Sequence, residues 1–478
     1  MIRAFIFLVI LIINFSAKAA IAPEVYIGGK FNFSSALTDQ ASVYTNDDLP
    51  IGTDNENKLN KSNYFAQDAF IDVLVLGKTD NSVLYGAVAS LMLDSNRQNV
   101  AEYDSSNTLT VSNNSSSVLT RRAYMFMEKK TSGRLEFGDV EGPSKKMKFD
   151  AAYRFGGTGG ISGNWWRFVN IPDFGLMYDA DKKDGDCTGE SYGTNDIRSC
   201  TGQGNKSFMI RPDLPLAHGY SKVNGADKFD DTRTIGRISY YSPRLSSVQF
   251  GISYAADSGD RGASYYGDSF SGANSGDVSD VIDWGINYVE QFNDLGLAFS
   301  LTGEYGFAED TTSIDSSEFT QQDLQSFALG AYVFKGNFSV AASYGAWGDS
   351  LMMVRSDLNS SDNNFRDNNA SYTTVGAGYQ FGAYKFNVAT FNSDYRGQNF
   401  ALTSVAFDYR LSKNFTLYGE LNQYSFSANS NDEADSTAYI SGTSFDNEGN
   451  VIFLGAKLHF GEFNSVSQIA LDTSSNFY

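Results

Sequence analysis

Few residues in this chain could carry out covalent chemistry. His218 and His459 are its two histidines among 478 residues, and His218 sits beside Gly219 in an irregular stretch, so no Ser–His relay of the hydrolase kind can be drawn. No enzyme is expected. The acidic run Asp179-Ala180-Asp181-Lys182-Lys183-Asp184-Gly185-Asp186, with Glu190 beyond it, has the charge density of a calcium loop. An EF-hand, however, needs an oxygen ligand at its fifth position and glycine at its sixth, where Lys183 and Asp184 stand. A looser Ca2+ contact at acidic loops is what remains, and no cofactor is expected. Trp165-Trp166-Arg167 has the flat surface to stack a sugar, but packing of a loop against a wall is the commoner use of such a pair and is the expectation here. Cys187 and Cys200 share one polar stretch without a neighbouring histidine, which is a poor metal set. In an oxidising compartment they would close a loop as a disulfide.

The compartment is argued from the first residues. Residues 1–19, MIRAFIFLVILIINFSAKA, have Arg3 as a thin basic start, an apolar run from Phe5 to Phe15, and an A-x-A site at Ala17-Lys18-Ala19. This is the pattern of a secretory signal peptide, and the apolar run falls short of the roughly 20 residues that span a bilayer as a helix. The formal charge is −20, and two units more negative once Arg3 and Lys18 leave with the signal. Nucleic acid is thereby excluded as a partner, since its binders need a basic footprint. The acidic residues concentrate in Asp/Asn/Ser-rich stretches and read mainly as solubilising loop charge.

The elements that position these residues alternate. In Arg233–Ala256, RTIGRISYYSPRLSSVQFGISYAA, Val248, Phe250, Ile252 and Tyr254 fall on one face and Ser247, Gln249, Gly251 and Ser253 on the other. Period two over that length is a strand with one apolar and one polar face. Ser242-Pro243-Arg244 turns it back on a partner whose faces are Gly236, Ile238 and Tyr240 against Arg237 and Ser239. The same hairpin recurs along the chain, with tight turns at Thr79-Asp80-Asn81, Ser132-Gly133, Lys335-Gly336-Asn337, Gly382-Ala383 and Ser412-Lys413-Asn414. About 16 strands of bilayer-crossing length, with short and long connections in alternation, predict an all-β transmembrane antiparallel barrel over residues 20–460. Aromatic content of 14% at a mean hydropathy of −0.30 fits such a barrel better than a soluble domain. Residues 141–232 break the rhythm and are far longer than an ordinary loop. Residues 461–478 are expected to trail into the periplasm.

Several stretches carry a family likeness. TRTIGRISYYSPRLSSVQFGISY resembles the Y-D-S-P-x-F-x-G-F hairpin of proteobacterial general diffusion porins. TRRAYMFMEKKTSGRLEFGDV resembles their fourth and fifth strands, VYIGGKFNFS their opening strand, and Ile171-Pro172-Asp173-Phe174-Gly175 the P-E-F-G-G of the loop that folds into the pore. The resemblance implies a 16-stranded homotrimer in a Gram-negative outer membrane, among lipid and lipopolysaccharide, passing small hydrophilic solutes and ions passively. Matched residue by residue, it implies that Lys30 faces the lumen, that Arg121 opens the fourth strand on the pore wall, and that Asp173 is the acid of the pore loop. Arg134 joins these as a pore-constriction candidate, and so does Arg237, which alternation sets opposite Ile238. Arg122, on the other parity from Arg121, is expected at a subunit interface or membrane rim. Asp139 stands where the family often has a base, and a long insertion holding both cysteines follows the P-D-F-G. Two alternatives stay open: a substrate-selective channel, for example for carbohydrate, and a non-conducting surface barrel used for adhesion.

Overall fold

In the computed structural model the described residues are 23–41, 63–94, 99–103, 109–113, 117–152, 154–157, 159–169, 209–216, 220–223, 226–229, 235–258, 278–308, 319–350, 353–355, 370–395, 398–427 and 447–461. Asp173, Cys187, Cys200, the acidic run 179–186, His218, the signal segment 1–19 and residues 462–478 lie outside them.

Sixteen antiparallel strands pair in sequence order and close into one barrel. They are β1 Glu24–Asp39, β2 Asn63–Lys78, β3 Leu84–Asp94, β4 Ser117–Lys129, β5 Gly133–Val140, β6 Ile235–Tyr241, β7 Val248–Asp257 and β8 Val278–Phe292. The second half is β9 Leu295–Ala308, β10 Leu324–Lys335, β11 Phe338–Gly348, β12 Ala370–Phe381, β13 Tyr384–Tyr395, β14 Gln398–Arg410, β15 Phe415–Ser427 and β16 Asn447–Phe460. The seam closes where β1 pairs with β16, from Gly29 opposite Phe460 to Asp39 opposite Asn450. Closure removes both sheet edges, so every strand finds its hydrogen bonds within the wall.

The alternation that builds the strands also sorts their faces. Val25, Ile27, Phe31 and Phe33 of β1, Phe250 and Ile252 of β7, and Ile452 and Leu454 of β16 all point outward and are exposed. So large a continuous apolar surface would be a liability in water, and around a closed barrel it is the band that meets hydrocarbon. Aromatic pairs collect near the tight turns, among them Phe338 with Tyr379 (4.5 Å between ring centroids) and Tyr384 with Tyr409 (5.0 Å). That is the amphipathic girdle expected at a membrane interface. Among the described residues no helix is long and apolar enough to cross a membrane.

Short turns lie at the end where β1 starts and β16 stops, and the long connections lie at the other. One connection at the long end is short: β13 runs to Tyr395 and β14 begins at Gln398, so both strands extend beyond the alternating cores Tyr384–Phe391 and Ala401–Leu411. Three two-stranded ribbons stand outside the barrel wall: Asn99–Tyr103 with Leu109–Asn113, Tyr220–Val223 with Ala226–Phe229, and Phe319–Gln321 with Met353–Arg355. The Tyr220–Phe229 ribbon lies within the 141–232 stretch that alternation reads as wholly irregular.

Candidate functional site

Within the 141–232 segment, residues 141–152, 154–157, 159–169 and 209–216 run inside the barrel and circle its inner wall. The segment leaves β5 at Glu141, which takes a bidentate ion pair from Arg122 of β4 (Nε to both carboxylate oxygens, 2.7 Å). Burial pushes the Glu141 carboxyl up, but the Arg122 guanidinium, helped by Arg121 and Lys146, prevails and holds it well below the usual carboxylate range. Arg122 therefore points inward, not to a rim or subunit interface. Arg122 shares the parity of the buried Tyr124 and Phe126, and an irregularity in pairing follows it: Ser90 faces Arg122 and the adjacent Leu91 faces Thr120, which leaves Arg121 as the extra residue of a β-bulge. Arg121 then also turns inward, its guanidinium 5.0 Å over the ring of Phe70, the cross-strand partner of Lys30. A bulge resets parity, so both arginines reach the interior.

A single helical turn, α1 Pro143–Lys146, is the first anchor. Its Ser144 N–H donates to Asp283 Oδ1 (2.6 Å), and its hydroxyl lies 2.9 Å from Asp283 Oδ2 and 3.1 Å from Glu304 Oε1. Asp283 of β8 and Glu304 of β9 are direct cross-strand partners, exposed by only 2% and 1%. Two like charges so placed repel. Arg237 Nη1 offsets this by bonding Asp283 Oδ2 at 2.9 Å, and the returning chain adds Leu216 N–H to Glu304 Oε2 at 3.0 Å. Both limbs of the inner segment thus converge on one carboxylate pair.

The two limbs are also clipped to each other. Asp213, 1% exposed, takes Lys145 on Oδ2 and Lys148 on Oδ1 (2.6 Å), and its backbone carbonyl accepts Trp347 Nε1–H at 2.9 Å. Burial pushes the Asp213 carboxyl up, but the two ammonium groups win and hold it far below the ordinary aspartate value. Lys146 turns the other way, toward Glu136 of β5, and lies over the rings of Tyr124 and Tyr241 at 5.2 and 5.5 Å. Its burial outweighs the pull of Glu136 and lowers its pKa.

Beyond α1 the chain crosses from wall to wall. Phe149 N–H bonds Ser300 Oγ on β9 (2.9 Å), Ala151 N–H bonds Thr374 Oγ1 on β12 (3.4 Å), and the Arg154 carbonyl accepts Lys385 Nζ–H from β13 (2.8 Å). Trp165 is fully buried and stacks on Phe400 of β14 (5.3 Å, 15°), with Tyr424 and Phe426 of β15 beside it. Phe168 meets Phe453 of β16 edge-on at 5.2 Å. Trp165 thus packs the segment against the wall and has no face left for a sugar. Gly330 on β10 permits a close approach, since a Cβ there would fall 1.8 Å from the Phe149 carbonyl oxygen. Gly330→Val is expected to lift the segment off the wall, read as trypsin cleavage after Lys145–Lys148 in a barrel that keeps its folded gel mobility.

The sequence-derived candidates separate into two groups. Lys30 and Arg121 face inward and are partly exposed. Arg134 and Arg237 face inward but are almost wholly buried, 2% and 7% exposed, and each is held by carboxylates of the barrel wall. Arg134 binds Glu128 (3.0 Å) and Glu136 (2.8 Å) and lies 4.0 Å over Phe126. A buried guanidinium is stable only when so paired, and pairing is what removes it from the water path. Inward residues that the sequence reading passed over include Arg154, Lys385, Lys457 and His459. Lys457 and His459 could have been found as the face opposite Ile452, Leu454 and Leu458.

A protein of Rickettsia bellii (strain RML369-C), described as uncharacterized, is 24% identical over 437 residues, covering 84% of this chain and 86% of its own. A Rickettsia prowazekii (strain Madrid E) protein, likewise described, is 22% identical over 447 residues, 85% of this chain and 87% of its own. Among solved structures, a porin from Comamonas acidovorans aligns at 12% identity over 92% of this chain and 100% of its own, with a TM-score of 0.47. A triple mutant of the Rhodopseudomonas blastica porin aligns at 12% identity over 91% of this chain and 100% of its own, with a TM-score of 0.45. The family model of the Gram-negative porin matches residues 8–429, nearly the whole barrel described above, and this chain belongs to that family of channel proteins.

Proposed function

We propose that the protein is an outer-membrane porin: a water-filled passage through which small hydrophilic solutes and ions diffuse passively, without a catalytic step or resident cofactor. The observation that carries this reading is a closed barrel, apolar outside, that holds a long charged segment within its own lumen. A barrel used only as an anchor has no need of such a segment, whereas a channel needs something to narrow it. The 141–232 segment is the constriction, with Lys30 and Arg121 on the wall faced by Asp173 on the loop. Opposed charges across confined water favour polar solutes and disfavour apolar ones.

The remaining parts fit the same reading. Residues 1–19 direct export, Cys187 and Cys200 close an oxidised loop, and residues 461–478 stay on the periplasmic side of a Gram-negative outer membrane. The acidic outer loops meet lipopolysaccharide, with divalent cations such as Ca2+ between them. The working form is a homotrimer. Purified protein added to a planar bilayer should give stepwise, ohmic current, with steps grouped in threes. Silence from protein that is folded and inserted would overturn the channel reading and leave a non-conducting surface barrel.

A further inference from the structure

We infer that the solutes favoured by this channel are small anions, selected by a line of cations along the wall from β13 through β16 and β1 to β4. The inference rests on the channel reading and adds to it the sign of the charge that the water path meets. The whole chain carries −20, which taken alone argues for cations. Charges close to a narrow water path outweigh those on outer loops, because loop charges are screened within about 8 Å at physiological ionic strength.

Parity and register fix the line. On β16, Lys457 and His459 alternate with the outward Leu458, and on β1 Lys30 is the direct partner of His459. Asn32, the partner of Lys457, is the next inward residue of β1, so Lys30 and Lys457 stand on one face of the seam. Arg121 extends the line beyond Lys30 through the Phe70 ring. On the other side, Lys457 lies 5.7 Å over the ring of Tyr418, and Tyr418 is the register partner of Asp408, which pairs in turn with Lys385. Lys385 holds the Arg154 carbonyl with one of its three N–H donors, which brings the Arg154 backbone to the same wall.

The acids of this interior are disposed differently. Glu136, Asp283, Glu304, Asp213, Glu420 and Asp68 are each 6% exposed or less, and the first four are engaged by the anchors of the inner segment. Among the described residues of this wall the partly exposed inward acids are Asp72, Glu128, which Arg134 binds, and Asp408, which lies between Lys385 and Lys457. Lys30, Arg121, Lys385 and Lys457, by contrast, are all partly exposed. On this wall folding has buried Asp68 and Glu420 and left these four cations partly exposed. Inorganic phosphate and small carboxylates are the chemical class such a line would favour, as multi-point acceptors for ammonium and guanidinium donors.

The test uses the full-length protein in a planar bilayer under a potassium chloride gradient. The reversal potential is expected to give a chloride-over-potassium permeability ratio above one. A Lys385→Gln/Lys457→Gln variant should lower that ratio on the order of three-fold or more, while Lys385→Arg/Lys457→Arg keeps it. A wild-type ratio at or below one overturns the inference while leaving the channel intact. A ratio above one that the glutamine variant does not change overturns the assignment to this wall. Absence of current is a different result, since it strikes the channel reading itself. Should the double variant fail to fold, Lys457→Gln alone carries the same expectation at about half the logarithmic effect.

Discussion

Arg237→Met is expected to release the inner segment from the wall without dismantling the barrel. Arg237 supplies the cation at a site where Asp283 and Glu304 face each other across β8 and β9. Removing it leaves two buried carboxylates opposed, with the loop donors Ser144 N–H, Ser144 hydroxyl and Leu216 N–H as their remaining described partners. Breaking a buried pair by deleting one partner costs about 3–5 kcal/mol. The barrel can avoid most of that cost by letting water reach the carboxylates, and water enters only if α1 lifts. The expected readouts are larger and noisier single-channel steps, with trypsin cleavage after Lys145, Lys146 or Lys148 in folded protein. Asp283→Asn added to Arg237→Met removes one of the opposed charges and should recover much of the docking. If the single variant conducted and resisted trypsin as the wild type does, the anchor assigned to this pair would be wrong.

Asp213→Asn should loosen the same segment from its other limb. Here one carboxylate holds two ammonium groups, and an amide in its place leaves the partly exposed Lys145 facing a neutral group, while the buried Lys148 keeps Asp150 at 2.8 Å as its one remaining carboxylate among the described residues. With Asp150 still on Lys148, the cost lies at the low end for a broken buried pair, about 3 kcal/mol. This clip also has a pH signature, because the Asp213 carboxyl is held below its ordinary value in the folded state. A depressed carboxylate contributes its full stabilisation above the unfolded value, near pH 4, and loses it progressively as the pH falls below that. Conductance noise and protease sensitivity should therefore stay flat from about pH 5 to 8 and rise below about pH 4. In Asp213→Asn the noise should be high throughout, with the acid rise attributable to Asp213 abolished. A wild-type channel as quiet at pH 3 as at pH 7 would contradict this account.

These two variants matter differently for conduction. Arg237 offsets the charge of the wall carboxylates that hold the segment and Asp213 ties its limbs together, so their effects should combine non-additively: once α1 has lifted, the limb clip has less to hold. Gly330→Val acts by a third route, steric displacement at Phe149, and tests the docking without altering any charge.

How far the sequence reaches is visible in particular elements. The hairpin of β6 and β7 was legible because its outward residues Ile238, Val248, Phe250 and Ile252 and its inward residues Arg237, Ser239 and Gln249 answer to two different solvents. A period of two is a local property, so one strand declares its faces without knowledge of its neighbours. The same holds for the sixteen strands, their up-and-down order and the closed form, because an open edge has no partner in hydrocarbon. The break in rhythm at 141–232 was legible too, as was the packing role of Trp165.

The roles of the charged residues became visible only in the folded barrel. Alternation says that Arg134 and Arg237 point inward, but it is silent on whether water or a carboxylate meets them there, and carboxylates of the wall do. Alternation also fails at Arg121, where one extra residue in the wall turns it inward beside Arg122 and nothing in the local sequence announces the bulge. The partners that settle these roles are distant in the chain: Ser144 and Glu304 are 160 residues apart, and Lys148 and Asp213 are 65 apart. Residue order alone was enough for every property that a single strand acquires by meeting lipid on one side and a polar interior on the other. Which inward charges anchor and which face the water path depended on closure of the barrel around its own loop, because exposure and ion pairing belong to the assembled interior and not to any one strand.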